Sequence, residues 1–243
     1  MVKERGDNMQ GEGIAIGVSD FKMLRVRNNY YIDKTLYIKN IIDNQAGVIL
    51  ITRPRRFGKT LNMSMLKYYF DITQKHNQEL FEGLEILQQG EKYTSKLGYY
   101  PCIYLTLKDV NDMDYGRMIL DLKTSMLNMY KQHMYLLDSD KIYEFEKAKI
   151  MDILYCREDE NVLKNAVRDL SEYLNRYYER PVILLIDEYD VPIQNAYIKG
   201  YYQEAIDLFK TFYGTTFKDN PYLEKTILTG VSRVAKESIF SRS

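Results

Sequence analysis

The chain has 243 residues, 45% hydrophobic and 28% charged, which is enough to bury a substantial core and too apolar for disorder. Lys plus Arg and Asp plus Glu both number 34, so the formal net charge is zero, and the basic excess typical of nucleic-acid-binding proteins is missing. The polar N-terminus lacks the apolar core of a signal peptide, and the longest strongly apolar run, residues 182–186, is too short to span a bilayer. We therefore expect a cytoplasmic protein without a membrane partner.

The N-terminal region is predicted to hold little regular structure. Residues 1–12 are polar and contain glycine, so we expect a flexible lead-in to a single domain over 13–243. Two short apolar pieces follow, at residues 14–18 and 30–32, and each is a candidate for a small strand.

Strands alternate with helices along the rest of the chain. Buried strands appear as short continuous apolar runs, and helices repeat apolar residues at a spacing of three and four. The predicted strands are 47–52, 101–107, 182–186 and 226–229. The predicted helices run from Asp33 or Thr35 to about residues 44–47 and over 59–71, 114–136, 140–154, 161–178 and 200–217. This alternation indicates an α/β fold of three layers, α/β/α, with a mostly parallel sheet.

The segment between the first strand and its helix contains Gly58, Lys59 and Thr60, the end of a phosphate-binding loop. Backbone N–H groups and the helix dipole would favour an anion there. Lys59 can reach the β- and γ-phosphates, and the Thr60 hydroxyl can ligate Mg²⁺. The candidate nucleotide-binding residues are Arg55, Arg56, Phe57, Gly58, Lys59, Thr60 and Leu61.

The same loop leaves two questions open. The general pattern has glycine where this chain has Arg53, and a Gly-Lys-Thr at a helix start also occurs by chance in unrelated folds. The arginines Arg53, Arg55 and Arg56 either neutralise phosphate or a partner's acidic surface, or form a solvated basic turn.

The strand at 182–186 runs directly into Asp187 and Glu188. A parallel strand ends beside the phosphate loop of a neighbouring strand, so Asp187 is a candidate Mg²⁺ ligand and Glu188 a candidate general base for the attacking water. Solvated acids at a strand end are the alternative, which weakens once the pair is joined to the loop. Thr229 is a candidate γ-phosphate sensor and Arg233 a candidate arginine finger, with capping or a surface ion pair as the alternatives.

Six segments together resemble the bacterial AAA-ATPase-like family. They are IGVSDFKMLR (16–25), YYIDKTLYIK (30–39), TRPRRFGKTLNMSMLKYYFD (52–71), FEGLEI (81–86), LLIDEYDVPI (184–193) and NPYLEKTILTGVSRVAKESIFS (220–241). In that family RPRRFGK[ST] is the usual phosphate loop, so the resemblance makes Arg53 a family trait. It also implies ATP and Mg²⁺ as cofactors, with Lys59, Thr60, Asp187 and Glu188 matching the phosphate and magnesium motifs.

The resemblance, which covers about residues 13–241, carries expectations about the end of the chain. Family members often continue into a PD-(D/E)XK nuclease-like domain, which this sequence does not contain. P-loop ATPases of this class usually order their strands 5-1-4-3-2, and no sequence remains here for the last strand. We therefore expect a truncated or split product with an uncovered sheet edge at the phosphate-loop strand, inclined to self-associate.

Four functions remain in view from the sequence. The first is Mg²⁺-dependent ATP hydrolysis as a molecular switch. The others are a nucleotide-binding regulatory or interaction module that does not hydrolyse, which includes a fragment of a larger ATPase–nuclease protein; a P-loop kinase; and, by analogy with the nuclease-bearing relatives alone, a nucleic-acid-directed factor. The protein partner is not specified by the sequence.

Overall fold

Four parallel strands form the centre of the protein, and the computed structural model describes residues 17–27 and 29–231. The strands are β1 (Val48–Thr52), β2 (Cys102–Thr106), β3 (Val182–Asp187) and β4 (Leu223–Gly230). They lie in the order β1-β4-β3-β2, and all three pairings are parallel. This confirms the predicted α/β class and the 1-4-3-2 part of the expected order.

Helices fill the connections between the strands. The α-helices are α1 (Phe21–Val26), α2 (Leu36–Asp43), α3 (Lys59–Phe70), α4 (Glu91–Thr94), α5 (Tyr115–Lys131), α6 (Glu144–Leu154), α7 (Glu160–Tyr178), α8 (Val191–Lys199) and α9 (Tyr202–Phe217). In the described part of the chain, 3₁₀ helices cover Ile72–Phe81, Glu85–Gln88 and Met134–Asp138. Helices α5 and α7 begin at aspartate caps, Asp114 and Asp159, whose side chains accept hydrogen bonds from backbone N–H groups of the first turn.

Alternate side chains of the sheet enter two separate cores, because successive residues of a strand face opposite sides. Ile183 and Leu185 belong to the core beneath α1, α2 and α3. Leu184 and Ile186 belong to the larger core beneath α5 to α9. Helices therefore cover both faces, as expected for a parallel sheet.

The prediction of a strand at residues 30–32 is wrong, since this segment has no strand pairing. Its aromatic side chains pack instead. The Tyr31 ring lies edge-on to Phe21, 5.6 Å between centroids, and its hydroxyl donates to Met65 Sδ. Val18 is likewise outside any strand, and the candidate strand residues Ile14 and Ile16 lie outside the described residues.

Several helices differ from prediction; α4, for example, was not predicted. The short α1 was not predicted; Asp20 caps it by accepting from Met23 N–H. The helix predicted over 114–136 ends at Lys131, and the chain continues as a 3₁₀ helix. The segment before α9 forms α8, which has Pro192 in its first turn. The sequence does not predict this helix, because its apolar residues follow closely on the apolar strand at 182–186.

The sheet edges bear on two further expectations. Within residues 17–27 and 29–231, β1 pairs with β4 alone. Self-association through this edge therefore stays a prediction. In the same part of the chain, no helix has the length and apolar character that crossing a membrane would require.

Candidate functional site

The carboxyl ends of the strands bring the predicted motifs together. β1, which leads into the phosphate loop, and β3, which ends in Asp187, flank β4 on its two sides. Thr52 pairs with Gly230, so the start of the loop lies beside the end of β4. Thr229, near the end of β4, therefore lies between the loop and the carboxylates, as the strand order β1-β4-β3 requires.

The phosphate loop bends through two left-handed residues before α3. Gly58 has φ of 71° and is the N-cap of α3, and Arg56 has φ of 68°. Glycine adopts this conformation without the steric cost that a side chain carries, which explains Gly58 at the helix entrance. The Lys59 side chain is buried, and its Nζ donates to the carbonyl oxygens of Arg53 at 3.2 Å and Pro54 at 3.3 Å. The loop therefore curls around the ammonium group of its own lysine.

Asp187 connects the loop to the sheet. It is 1% exposed, and its two carboxylate oxygens have different partners. The Thr60 hydroxyl donates to Oδ2 at 2.7 Å, and the Thr229 hydroxyl donates to Oδ1 in a short hydrogen bond. Two residues distant in sequence from Asp187, one from the loop and one from β4, are thereby held on one carboxylate.

Thr60 Oγ1 and Asp187 Oδ2 are suited to coordinate Mg²⁺. The ion takes oxygen ligands at about 2.0–2.1 Å in an octahedron, which places neighbouring ligand oxygens about 3 Å apart. Thr60 Oγ1 and Asp187 Oδ2 are 2.7 Å apart, so a small widening would let both coordinate one ion. Among the described residues, no cluster of three or more His, Cys, Asp or Glu side chains forms another metal site. Mg²⁺ in nucleotide sites typically uses one or two protein oxygens together with phosphates and water, which matches this set.

Glu188 follows directly after β3 in a strained backbone. Its φ is 56°, a conformation unfavourable for a residue with a side chain. The Glu188 N–H points to Thr229 Oγ1 at 3.4 Å, and Tyr189 N–H donates to the Thr229 carbonyl at 2.9 Å. Burial, and then the neighbouring Asp187 carboxylate, raise the pKa of Glu188, while the Lys59 charge lowers it. A carboxylate with a raised pKa is a better base than an ordinary glutamate.

A cavity of about 730 Å³ opens over the start of α3. Its walls are residues 58–61 at the start of α3, the exposed residues Arg55 and Arg56, Glu188, and the segment 17–19. Asp20 and Phe21 directly follow the segment 17–19, and neither lines the cavity. Both side chains turn inward: Asp20 accepts from Ser64 and Tyr68 on α3, and Phe21 is fully buried.

The remaining predicted site residues fall in different places. Phe57 is 63% exposed and borders a second, smaller cavity together with Lys59 and Thr229. Leu61 lines the first cavity. Arg233 lies outside the described residues. The structure thus brings the loop, Asp187, Glu188 and Thr229 together, and it provides no placement for the proposed arginine finger.

Two residues near the site were missed by the sequence analysis. Asp190 is fully buried, and its Oδ2 accepts from Val231 N–H at 2.9 Å, which ties the end of β4 to the turn that carries Glu188. A side chain at Gly230 would meet Asp190 Oδ1 at 2.6 Å, so glycine permits this approach. Tyr104 lies on β2, and burial followed by the nearby Asp187 and Glu188 carboxylates raises its pKa. The spacing in Asp-Glu-Tyr-Asp was the available signal for Asp190; Tyr104 had none.

A parallel α/β sheet in the order 1-4-3-2, with a Gly-Lys-Thr loop at the end of β1 and an aspartate at the end of β3, defines a protein of the P-loop NTPase class. A family model described as "Predicted AAA-ATPase" matches residues 15–240. The chain belongs to this predicted AAA-ATPase family.

One curated relative is described as an "Uncharacterized protein in vnfD 5'region" from Azotobacter chroococcum mcd 1. It is 24% identical over 240 residues, which is 96% of this chain and 40% of the relative. The chain therefore spans less than half the length of that protein. No solved structure matches the chain.

Proposed function

We propose that the protein binds ATP with Mg²⁺ at the phosphate loop and hydrolyses it, with the cycle of binding and hydrolysis acting as a molecular switch. The observation that carries this proposal is the 2.7 Å contact between Thr60 Oγ1 and Asp187 Oδ2, beside the cavity that Glu188 lines. It joins the helix that would receive phosphate to the strand that would hold the metal.

Each side chain has a distinct role in this proposal. Lys59 would exchange the two loop carbonyls for β- and γ-phosphate oxygens, so its charge would stay hydrogen-bonded throughout. Thr60 and Asp187 would hold Mg²⁺, which when bound neutralises charge on the phosphates. The exposed arginines Arg55 and Arg56 would add positive charge at the mouth of the cavity.

Glu188 would orient the attacking water and accept its proton. It borders the same cavity as Thr60 and Lys59, so it faces the region where the terminal phosphate would lie. Its strained backbone also supports a functional role, because such conformations persist mainly where surrounding structure imposes them, and they cluster at active sites.

The first experiment measures nucleotide binding and includes a control variant at an exposed lysine away from the site. ATP affinity is measured by calorimetry with and without Mg²⁺ on the wild type, on Lys59→Ala, and on Lys210→Ala as a control on the exposed side of α9. We expect a loss of at least about tenfold in Lys59→Ala alone, because one charged hydrogen-bonding partner is removed. Equal affinities in all three proteins would move the ligand elsewhere.

The second experiment tests hydrolysis. Steady-state phosphate release is measured for the wild type, Glu188→Gln, and Glu204→Gln as a control on an exposed face of α9. Removing the base should lower kcat by about 10²–10⁴-fold in Glu188→Gln only. If ATP binds but the wild type and Glu188→Gln release phosphate at the same rate, the protein is a nucleotide-binding module that does not hydrolyse ATP.

A further inference from the structure

A second cavity of about 310 Å³ lies beside the first, and Lys59 borders both. Its other walls include Lys34 and Tyr37 at the start of α2, Arg53 and Phe57 of the loop, and Asn62 of α3. Lys34, Tyr37 and Asn62 have no role in the site described above. Three of the residues around this cavity are cations, and no carboxylate lines it within the described part of the chain.

The positions of the catalytic groups give the phosphate site a direction. Thr60 and Glu188, which mark the metal and water end, line only the first cavity. Asn62 lies three residues after Lys59 on α3, about one helical turn further along, and lines only the second cavity. A triphosphate whose terminal group lies near Glu188 and which passes the Lys59 ammonium group would direct its other end toward Asn62.

We infer that this second cavity binds the nucleoside end of the nucleotide: the α-phosphate, the ribose and the base. The inference rests on the proposed function, since it assumes that the phosphates lie on the loop. It assigns recognition of the nucleoside to the start of α2 and to the outer side of the loop, not to the segment 17–19.

The chemistry of the lining suits such a ligand. Phe57, 63% exposed, and the half-buried Tyr37 offer aromatic faces, on which bases of any sequence stack. The Asn62 amide carries both donors and an acceptor for the polar edge of a base. Lys34 and Arg53 supply positive charge for the α-phosphate.

Two other groups at the cavity do not compete with this assignment. Thr229 also forms part of the wall, and because its hydroxyl donates to Asp187, it lies where this cavity meets the metal end of the proposed phosphate site. Burial raises the pKa of the Tyr37 phenol, so it stays neutral and can donate a hydrogen bond at physiological pH. The cavity thus presents aromatic, amide and cationic groups together.

The test compares ATP with inorganic tripolyphosphate, which has the phosphates and lacks the nucleoside. Both are measured with Mg²⁺ on the wild type, Phe57→Ala, Tyr37→Ala and Asn62→Ala. Phe145→Ala is the matched control, because Phe145 is 65% exposed on α6. Wild type should bind ATP at least about fivefold more tightly than tripolyphosphate, and the Phe57 or Tyr37 variant should lose at least about fivefold for ATP, the value of one stacked base.

The outcomes separate this inference from the proposed function. Tripolyphosphate affinity should stay constant in the three cavity variants and in Phe145→Ala. If wild type binds ATP and tripolyphosphate equally well, or the cavity variants weaken both ligands alike, the inference is overturned while phosphate binding stands. If neither ligand binds the wild type, the proposed function fails first.

Photolabelling of the wild type with 8-azido-ATP gives a second measurement that needs no variant. After trypsin digestion, the label should lie on the peptide of residues 35–39, which contains Tyr37, or on the loop peptide containing Phe57. Label on the peptide that contains residues 17–19 would place the base in the first cavity and refute the inference.

Discussion

Replacing Glu188 with glycine should stabilise the protein relative to replacing it with alanine. Both variants lack the carboxylate, and with it the burial of the acid and its repulsion from Asp187. They differ in the backbone, because Glu188 has φ of 56°, where any Cβ crowds the following carbonyl oxygen. The comparison therefore isolates the strain at the end of β3.

The size of the difference follows from two opposing effects. A non-glycine residue in the left-handed conformation costs about 1–2 kcal/mol. Glycine also makes the unfolded chain more flexible, which lowers the free energy of unfolding by about 0.4–1 kcal/mol. We expect a net advantage of about 1 kcal/mol for Glu188→Gly, which for a chain of this length raises the melting temperature by about 2–4 °C.

Glu179 provides a control for the same backbone effect far from the site. It has φ of 55° at the C-cap of α7, and its side chain pairs with Lys141 on the surface. Glu179→Gly and Glu179→Ala both lose that ion pair, so their difference again reports the backbone alone. Urea and thermal unfolding of the four variants, with ATP hydrolysis measured alongside, complete the assay.

The four variants should divide by position. Glycine should exceed alanine in stability at both positions, while hydrolysis should be lost only at position 188. If the two Glu188 variants are equally stable while the Glu179 variants differ by about 1 kcal/mol, Glu188 is not strained in solution. The backbone argument for its functional role would then be refuted.

Three further predictions concern individual groups. Gly230→Ala places a Cβ 2.6 Å from Asp190 Oδ1 at the buried end of β4 and should lower the free energy of unfolding in urea by about 1–3 kcal/mol; an unchanged midpoint would contradict the close approach. Burial lowers the pKa of His133 from 6.5 to about 3, so between these pH values the unfolded chain binds a proton that the folded chain does not, and stability falls by about 1.4 kcal/mol per pH unit as pH decreases. His133→Gln should flatten that part of the acid-unfolding curve, and Tyr135→Phe, which removes only the ring's hydrogen-bond partner, should keep it. The acid limb of kcat/KM should lie above pH 4.5, the ordinary value for Glu188, because its pKa is raised; a limb at or below 4.5 would argue against Glu188 as the base.

Much of the sheet could be predicted from the sequence because its strands are continuous apolar runs with clear ends. The predicted runs at 47–52, 101–107 and 182–186 each overlap an observed strand closely, and β4 extends beyond its predicted 226–229 to Leu223–Gly230. Buried parallel strands are the elements whose local sequence and tertiary environment agree best.

The first part of the chain resisted prediction because its structure depends on contacts distant in sequence. Asp20 accepts hydrogen bonds from Ser64 and Tyr68, and the N–H of Phe21 donates to Ser64 Oγ. Nothing in residues 17–32 reveals these partners, so the local pattern of apolar and aromatic residues predicts a strand that does not form.

The candidate site also contains residues that local sequence patterns predict and residues that only the tertiary structure brings together. Local motifs identified Lys59, Thr60, Asp187 and Glu188, since a loop at a helix start and acids at a strand end have recognisable patterns. The second cavity could not be found that way, because it forms only where the start of α2 meets the loop. Local sequence patterns predict the groups proposed to bind phosphate, whereas the groups of the second cavity come together only in the tertiary structure.

Asp187 serves the fold and the proposed chemistry with the same two oxygens. The hydroxyls of Thr60 and Thr229 satisfy its buried charge and, in turn, fix the loop and β4 on either side of it. A buried carboxylate without such partners would destabilise the fold, so the hydroxyl groups at the proposed metal site also stabilise the buried charge of Asp187. Thr60 and Asp187 are the residues that would hold Mg²⁺, and Thr229, which donates to the same carboxylate, has its Oγ1 3.4 Å from the Glu188 backbone nitrogen. These contacts of Asp187 and Thr229 connect the phosphate loop to the turn that carries Glu188, the proposed general base.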